Sequence, residues 1–126
     1  MSPRSSAASA AWAACGDGLK NAHLLQGTRF QLAWAAEPAV TPGKQFAMVV
    51  VACPRAGAAM PDALAVDARM PEHGHGMGYQ PQSRRTAPGR WRVEGLMLHM
   101  RGRWELDFAL GTGAQAERIT DVLMLP

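Results

Sequence analysis

The chain has 126 residues, of which 48% are hydrophobic and 18% charged, with a formal net charge of +3. That length suits one domain with a packed core and leaves little room for a second, and the composition excludes wholesale disorder. No apolar run approaches the roughly 18 to 20 residues that span a bilayer as a helix, and the two lysines, Lys20 and Lys44, with few aromatics do not resemble a nucleic-acid-binding module.

Residues 1–14 are rich in Ala and Ser, with one early arginine, Arg4. They resemble the small-residue end of a secretory signal without its leucine-rich centre, and Ala-Trp-Ala-Ala-Cys15 resembles a lipoprotein cleavage site. A signal remnant and a simple tail are both open, and residues 1–22 are set apart from the body of the chain. Cys15 and Cys53 match no metal-binding spacing. In a reducing compartment they are two unrelated thiols; in an oxidising one they form a single bridge. The bridge is the expectation, because the segment around Cys15 has little else to hold it. His23, alone in its segment, reads as structural or solvated.

The first clear strand is predicted over 29–36, where Phe30, Leu32 and Trp34 alternate with Gln31, Ala33 and Ala35. Pro38 and then Thr41-Pro42-Gly43 supply a turn. A valine-rich strand follows over 44–53, then a Pro/Gly/Ala loop to Pro61. A further strand spans 63–70, with Leu64, Val66 and Ala68 on one face and Asp67 and Arg69 on the other. Residues 71–89 hold three prolines and four glycines without periodicity and are expected to form one long loop. Alternation resumes over 90–100 and again over 103–110, where Trp104, Leu106, Phe108 and Leu110 define the cleanest amphipathic strand; Gly95 marks a bulge that leaves the phase open. Gly111-Thr112-Gly113 breaks the pattern before a last strand over 118–125. Six or seven short strands between Gly/Pro turns argue for an all-β sandwich or a small barrel. The arginines at 84, 85, 90, 92, 101 and 103 could form an anion-binding patch, but solvent-facing strand positions explain them more simply.

Chemistry concentrates in two places. Met70-Pro71-Glu72-His73-Gly74-His75-Gly76-Met77 and, at a distance, Met97-Leu98-His99-Met100 together hold three of the four histidines and four of the eight methionines. Glycines after His73 and His75 free the backbone to turn both imidazoles toward one centre. Thioether and imidazole donors together select copper, as Cu(I) or a Cu(I)/Cu(II) pair, over hard cations. Imidazole ligands make such a site acid-labile, with affinity falling below about pH 6. The candidate ligands are His73, His75 and His99 with Met77 or Met100. Met70, at a strand end, is expected to serve the core before it serves a metal. His99 and Met100 cannot face the same side of a regular strand. Zinc held by His73, His75 and His99, near Glu72, is a rival that the methionine surplus ranks second. No nucleophile elbow, P-loop or dinucleotide fingerprint is present, so no enzyme active site is expected.

These two stretches, Met70-Pro-x-His73-x-His75-Gly-Met77 followed by Gly95-x-x-x-His99-Met100-x-Gly102-x-Trp104-Glu-Leu, resemble the YtkA-like family, which is similar in pattern to the FixH-like proteins. The resemblance covers roughly residues 30–110. It implies an immunoglobulin-like antiparallel β-sandwich of about seven strands over residues 23–126, lying outside the cytoplasm, in the periplasm or its equivalent. It also implies a role in copper handling or in assembling copper- or haem-containing redox enzymes, with the family motif falling on Met70, His73, His75, Met77, His99 and Met100. Trp104 reads as core. Three functions follow as expectations. The first is a copper-binding or copper-delivery domain, and the second a metal-free interaction module for a redox enzyme or its assembly factor, docking through 71–89. The third and weakest is a small redox enzyme. A monomer or weak homo-oligomer is expected, with no nucleic-acid partner.

Overall fold

The structure, a computed structural model, describes residues 15–78 and 80–126; the stretch 1–14, expected as a tail or signal remnant, and the side chain of His75 lie outside what it describes. The described residues form nine strands: β1 (His23–Gln26), β2 (Phe30–Glu37), β3 (Gln45–Pro54), β4 (Leu64–Met70), β5 (His75–Gly76), β6 (Gln82–Ala87), β7 (Arg90–Met97), β8 (Gly102–Leu110) and β9 (Glu117–Leu125). All pairings are antiparallel, and they build one sheet in the order β1-β2-β3-β7-β6 and a second in the order β5-β4-β8-β9. The expected all-β sandwich is therefore what forms, with nine strands where about seven were expected.

Period-two patterning decides which face each strand turns inward. β4 alternates buried and exposed without exception, sending Leu64, Val66, Ala68 and Met70 inward. Its partner β8 matches it with Trp104, Leu106, Phe108 and Leu110. Across the sandwich these meet Leu32 and Trp34 of β2, Met48 and Val50 of β3, and Trp91, Val93 and Leu96 of β7. Burying one such large apolar side chain contributes about 1.5–3 kcal/mol. The expected bulge is present. Met48 pairs with Val93 and Phe46 with Leu96, so β7 carries one residue more than β3 over that interval. Glu94 and Gly95 are both exposed there, and Gly95 takes φ +83°. The extra residue resets the phase, which is how Leu96 and Leu98 both reach the core.

Three strands were not anticipated. β1 is only four residues long, too short for alternation to register. β5 and β6 lie inside what reads as one long loop, and that expectation is corrected here. β6 was hidden because all of its side chains, Gln-Ser-Arg-Arg-Thr-Ala, are exposed, so it has no apolar phase to detect and is held by main-chain pairing to β7.

Cys15 and Cys53 are disulfide-bonded, as expected, tying the segment before β1 to the end of β3. On the opposite edge from β6, two carboxylates of β9 join the sheets. Glu117 accepts hydrogen bonds from the Thr28 and Arg29 main-chain N–H groups at 2.6 and 2.9 Å and pairs with the Arg29 guanidinium at 3.1 Å. Asp121 Oδ2 accepts from Trp34 Nε1 at 2.9 Å and lies 3.3 Å from His23 Nδ1. His23 also stacks on the Trp34 ring, 4.2 Å between centroids, while its side chain stays partly exposed, so it combines the structural and solvated readings left open for it.

Candidate metal centre

The two donor-rich stretches fall at the turns that follow β4 and β7. After Met70 the chain makes a tight turn in which the His73 N–H donates to the Met70 carbonyl at 3.1 Å and the Gly74 N–H to the Pro71 carbonyl at 3.4 Å. Gly74 takes φ +65° there, with open space where a Cβ would stand. The chain then returns as β5, placing His75 opposite Met70 and Gly76 opposite Arg69. His73 is thus at the exposed tip of a hairpin.

The other stretch leaves β7 after Met97. Leu98 is fully buried, and its carbonyl accepts the Gly43 N–H at 2.9 Å, which fixes the chain before it turns. His99 is exposed, whereas Met100 is half-buried and packs against the core, so the two diverge within the connection between β7 and β8. The Met100 carbonyl accepts the indole N–H of Trp104 at 2.9 Å, closing the connection into β8. The His99 ring stands edge-on to Trp104, with centroids 5.5 Å apart and planes at 79°.

A close approach joins the two stretches. Arg69 pairs with Glu105, so the next position of β4, Met70, lies beside Trp104. Gly102, at φ +128°, leaves the space into which the Met70 methyl reaches: a Cβ on Gly102 would stand 2.7 Å from it. Met70 therefore has His75 opposite it on one side and Trp104, the ring that His99 touches, on the other. Met70 and Gly102, 32 positions apart in sequence (102 − 70), thus meet at one end of the four-stranded sheet.

The candidate ligands do not all take the same place. His73 and His99 are exposed at this end, and the main chain of His75 is in register with Met70, although the His75 side chain lies outside the description. Met70 is 1% exposed and Met77 7%, and both belong to the core cluster, so their thioethers are already in van der Waals contact with apolar neighbours. Met100 is the sulfur of the set that is only partly buried. Among the described residues, no three His, Cys, Asp or Glu side chains gather to hold a metal ion.

Sequence reasoning missed the constellation of His23, Trp34 and Asp121. A signal was present: Asp121 stands between Ile119 and Leu123 on the apolar phase of its strand, where a carboxylate needs buried donors to satisfy it. Among the described residues no helix is long and apolar enough to cross a membrane. No family model, curated protein or solved structure matches the chain.

Proposed function

We propose that this end of the sandwich binds copper as cargo, using the imidazoles of His73, His75 and His99 with the Met100 thioether in support, and that the domain works outside the cytoplasm. The observation behind it is the approach of Met70 to Gly102, which roots the His73–His75 hairpin and the His99–Met100 connection side by side. The donor chemistry fits: imidazole nitrogen is shared by Cu(I) and Cu(II), and a thioether adds preference for Cu(I). The exposed tip position of His73 and the open space around Gly74 allow the hairpin to adjust around an ion without disturbing the core. The Cys15–Cys53 bridge supports an oxidising compartment, where such bonds persist. A copper-delivery role for this domain also accounts for an exposed, loop-borne donor set, since cargo must leave as well as bind.

The test is competitive titration with Cu(I) and Cu(II) against chromophoric chelators. His73→Ala combined with His75→Ala, and separately His99→Ala, are expected to weaken binding by at least about tenfold, by analogy with the loss seen when even supporting groups of a metal site are removed. Met100→Leu is expected to weaken Cu(I) more than Cu(II). Unchanged affinities in the double variant and in His99→Ala refute the proposal.

A further inference from the structure

The arginines of this chain divide into two groups. Arg29, Arg69, Arg92 and Arg103 each have a carboxylate partner within 3.5 Å; Arg69 has two, Glu105 and Asp107, and so has Arg92, Glu37 and Glu94. Arg55, Arg84, Arg85, Arg90, Arg101 and Arg118 have no carboxylate partner among the described residues, and of these Arg84 and Arg85 stand consecutively on the edge strand β6. Arg84 also stands directly opposite Arg92, a like-charge pair across two strands.

β6 is the last strand of its sheet. It buries no side chain on either face, and among the described residues its outer main-chain edge meets no further strand. A bare strand edge is a template for another strand. The same flank carries a second partly free edge, that of β4, but β4 is closed in two ways: β5 covers Arg69 and Met70, and the Asp67 carboxylate caps the Ala68 N–H at 2.8 Å. The β4 edge is acidic, through Asp67, and the β6 edge is basic. Between them lies an open cavity of about 350 Å³ that Ser83 lines from β6 and Asp67, Asp107 and Arg118 line from the other sheet, so its far wall carries carboxylates and the cationic positions lie on the β6 side, at Arg84 and Arg85 beyond the cavity.

We propose that the free edge of β6 docks an extended acidic segment of a partner protein, which adds to the five-stranded sheet as a further strand. Main-chain hydrogen bonds supply the pairing and alternate side chains the selectivity. Because successive strand residues point to opposite faces, Arg84 and Arg85 present one guanidinium on each face. Carboxylates at neighbouring positions of the incoming strand meet both. The same charges exclude a second copy of this chain, since antiparallel pairing of two β6 edges would set four guanidiniums against one another. This site is separate from the His/Met end and stands whether or not copper binds there.

The experiment uses the full chain, isotopically labelled, with three synthetic decapeptides: one that repeats Glu-Glu-Val-Val, so that carboxylates occupy neighbouring positions and face both ways, the same with Lys for Glu, and the Glu peptide N-methylated at alternate residues. The expected result is amide shift changes and slowed amide exchange over residues 82–87 with the Glu peptide only, weakening as salt rises. Arg84→Glu with Arg85→Glu is expected to reduce affinity at least about tenfold while leaving the copper titration unchanged and the melting temperature no lower, because neither side chain is buried and Arg84→Glu removes a like-charge pair with Arg92. Three results overturn the proposal: no change over 82–87, equal binding of the Lys or N-methylated peptide, or capture of a short DNA duplex at these residues while the Glu peptide is inert.

Discussion

Asp121 joins the two sheets by accepting the indole N–H of Trp34. Trp34 is 1% exposed, and its indole N–H reaches Asp121 Oδ2 at 2.9 Å. A hydrogen bond to a charged acceptor contributes about 1.5–3 kcal/mol net, and an orphaned buried donor costs a similar amount. The adjoining ion pair adds little, since the His23 side chain is 41% exposed and solvent screens it; at most about 1 kcal/mol is assigned to it. Asp121→Ala should therefore destabilise by about 2–3 kcal/mol, Asp121→Asn by roughly 1 because an amide oxygen still accepts, and His23→Ala by under about 1. Urea unfolding followed by far-ultraviolet circular dichroism measures each, with an unchanged slope confirming that only stability moved. A double-mutant cycle isolates the cause. In a Trp34→Phe background there is no indole N–H to strand, so Asp121→Ala should cost about 1 kcal/mol or less, a coupling of roughly 1.5–2. An equal cost in both backgrounds refutes the assignment.

The disulfide links residues separated by 38 positions, for which loop-closure entropy gives about 4 kcal/mol. Cys15→Ala with Cys53→Ala should lower the urea midpoint accordingly, and a loss under about 1 kcal/mol would show that the bridge constrains little. Gly102→Ala places a side chain at φ +128° and 2.7 Å from the Met70 methyl, so it should cost about 1–3 kcal/mol in unfolding free energy and also weaken copper binding. Loss of stability with copper affinity intact would separate the close approach from the metal site. The Arg92 guanidinium is raised above its ordinary value by the Glu37 hydrogen bond first and the Glu94 bond second. A raised cation stabilises below its unfolded pKa and loses that contribution only as pH rises through the folded one, both above the working range. The stability gap between wild type and Arg92→Leu should thus stay constant from about pH 6 to about pH 10, and a gap that closes in that window refutes it.

Most of the sandwich was legible because six strands repeat apolar residues at period two against a buried face. Leu64-x-Val66-x-Ala68-x-Met70 and Trp104-x-Leu106-x-Phe108-x-Leu110 read directly, and their observed pairing places the two inward faces together. Gly95 was legible as a bulge because nothing else in that strand explains a glycine. β6 was not, for the opposite reason. A strand that buries nothing leaves no hydrophobic signature, and its existence depends on main-chain bonds that β7 supplies from later in the chain. Pairing partners, unlike faces, are a property of the assembled sheet.

The candidate site was legible as a list of donors and only partly as a place. Methionine is ambiguous at this level, because the flexible thioether that suits a soft metal also fills irregular gaps in a core. Met70 and Met77 have taken the second role, each surrounded by apolar side chains. Histidine is less ambiguous: His73 and His99, being exposed, gain no burial from the positions they occupy. Sulfur at 70 and 77 could join a metal only by leaving the core, and truncating such a buried side chain costs about 2–5 kcal/mol. Ring nitrogens at 73 and 99 would join one without emptying a core position, since both residues are exposed. If copper is the cargo, the imidazoles must therefore carry most of its binding, with Met100 as the sulfur closest to hand. A titration in which Met70→Leu and Met77→Leu matter as much as His99→Ala would require a core that opens to receive the ion.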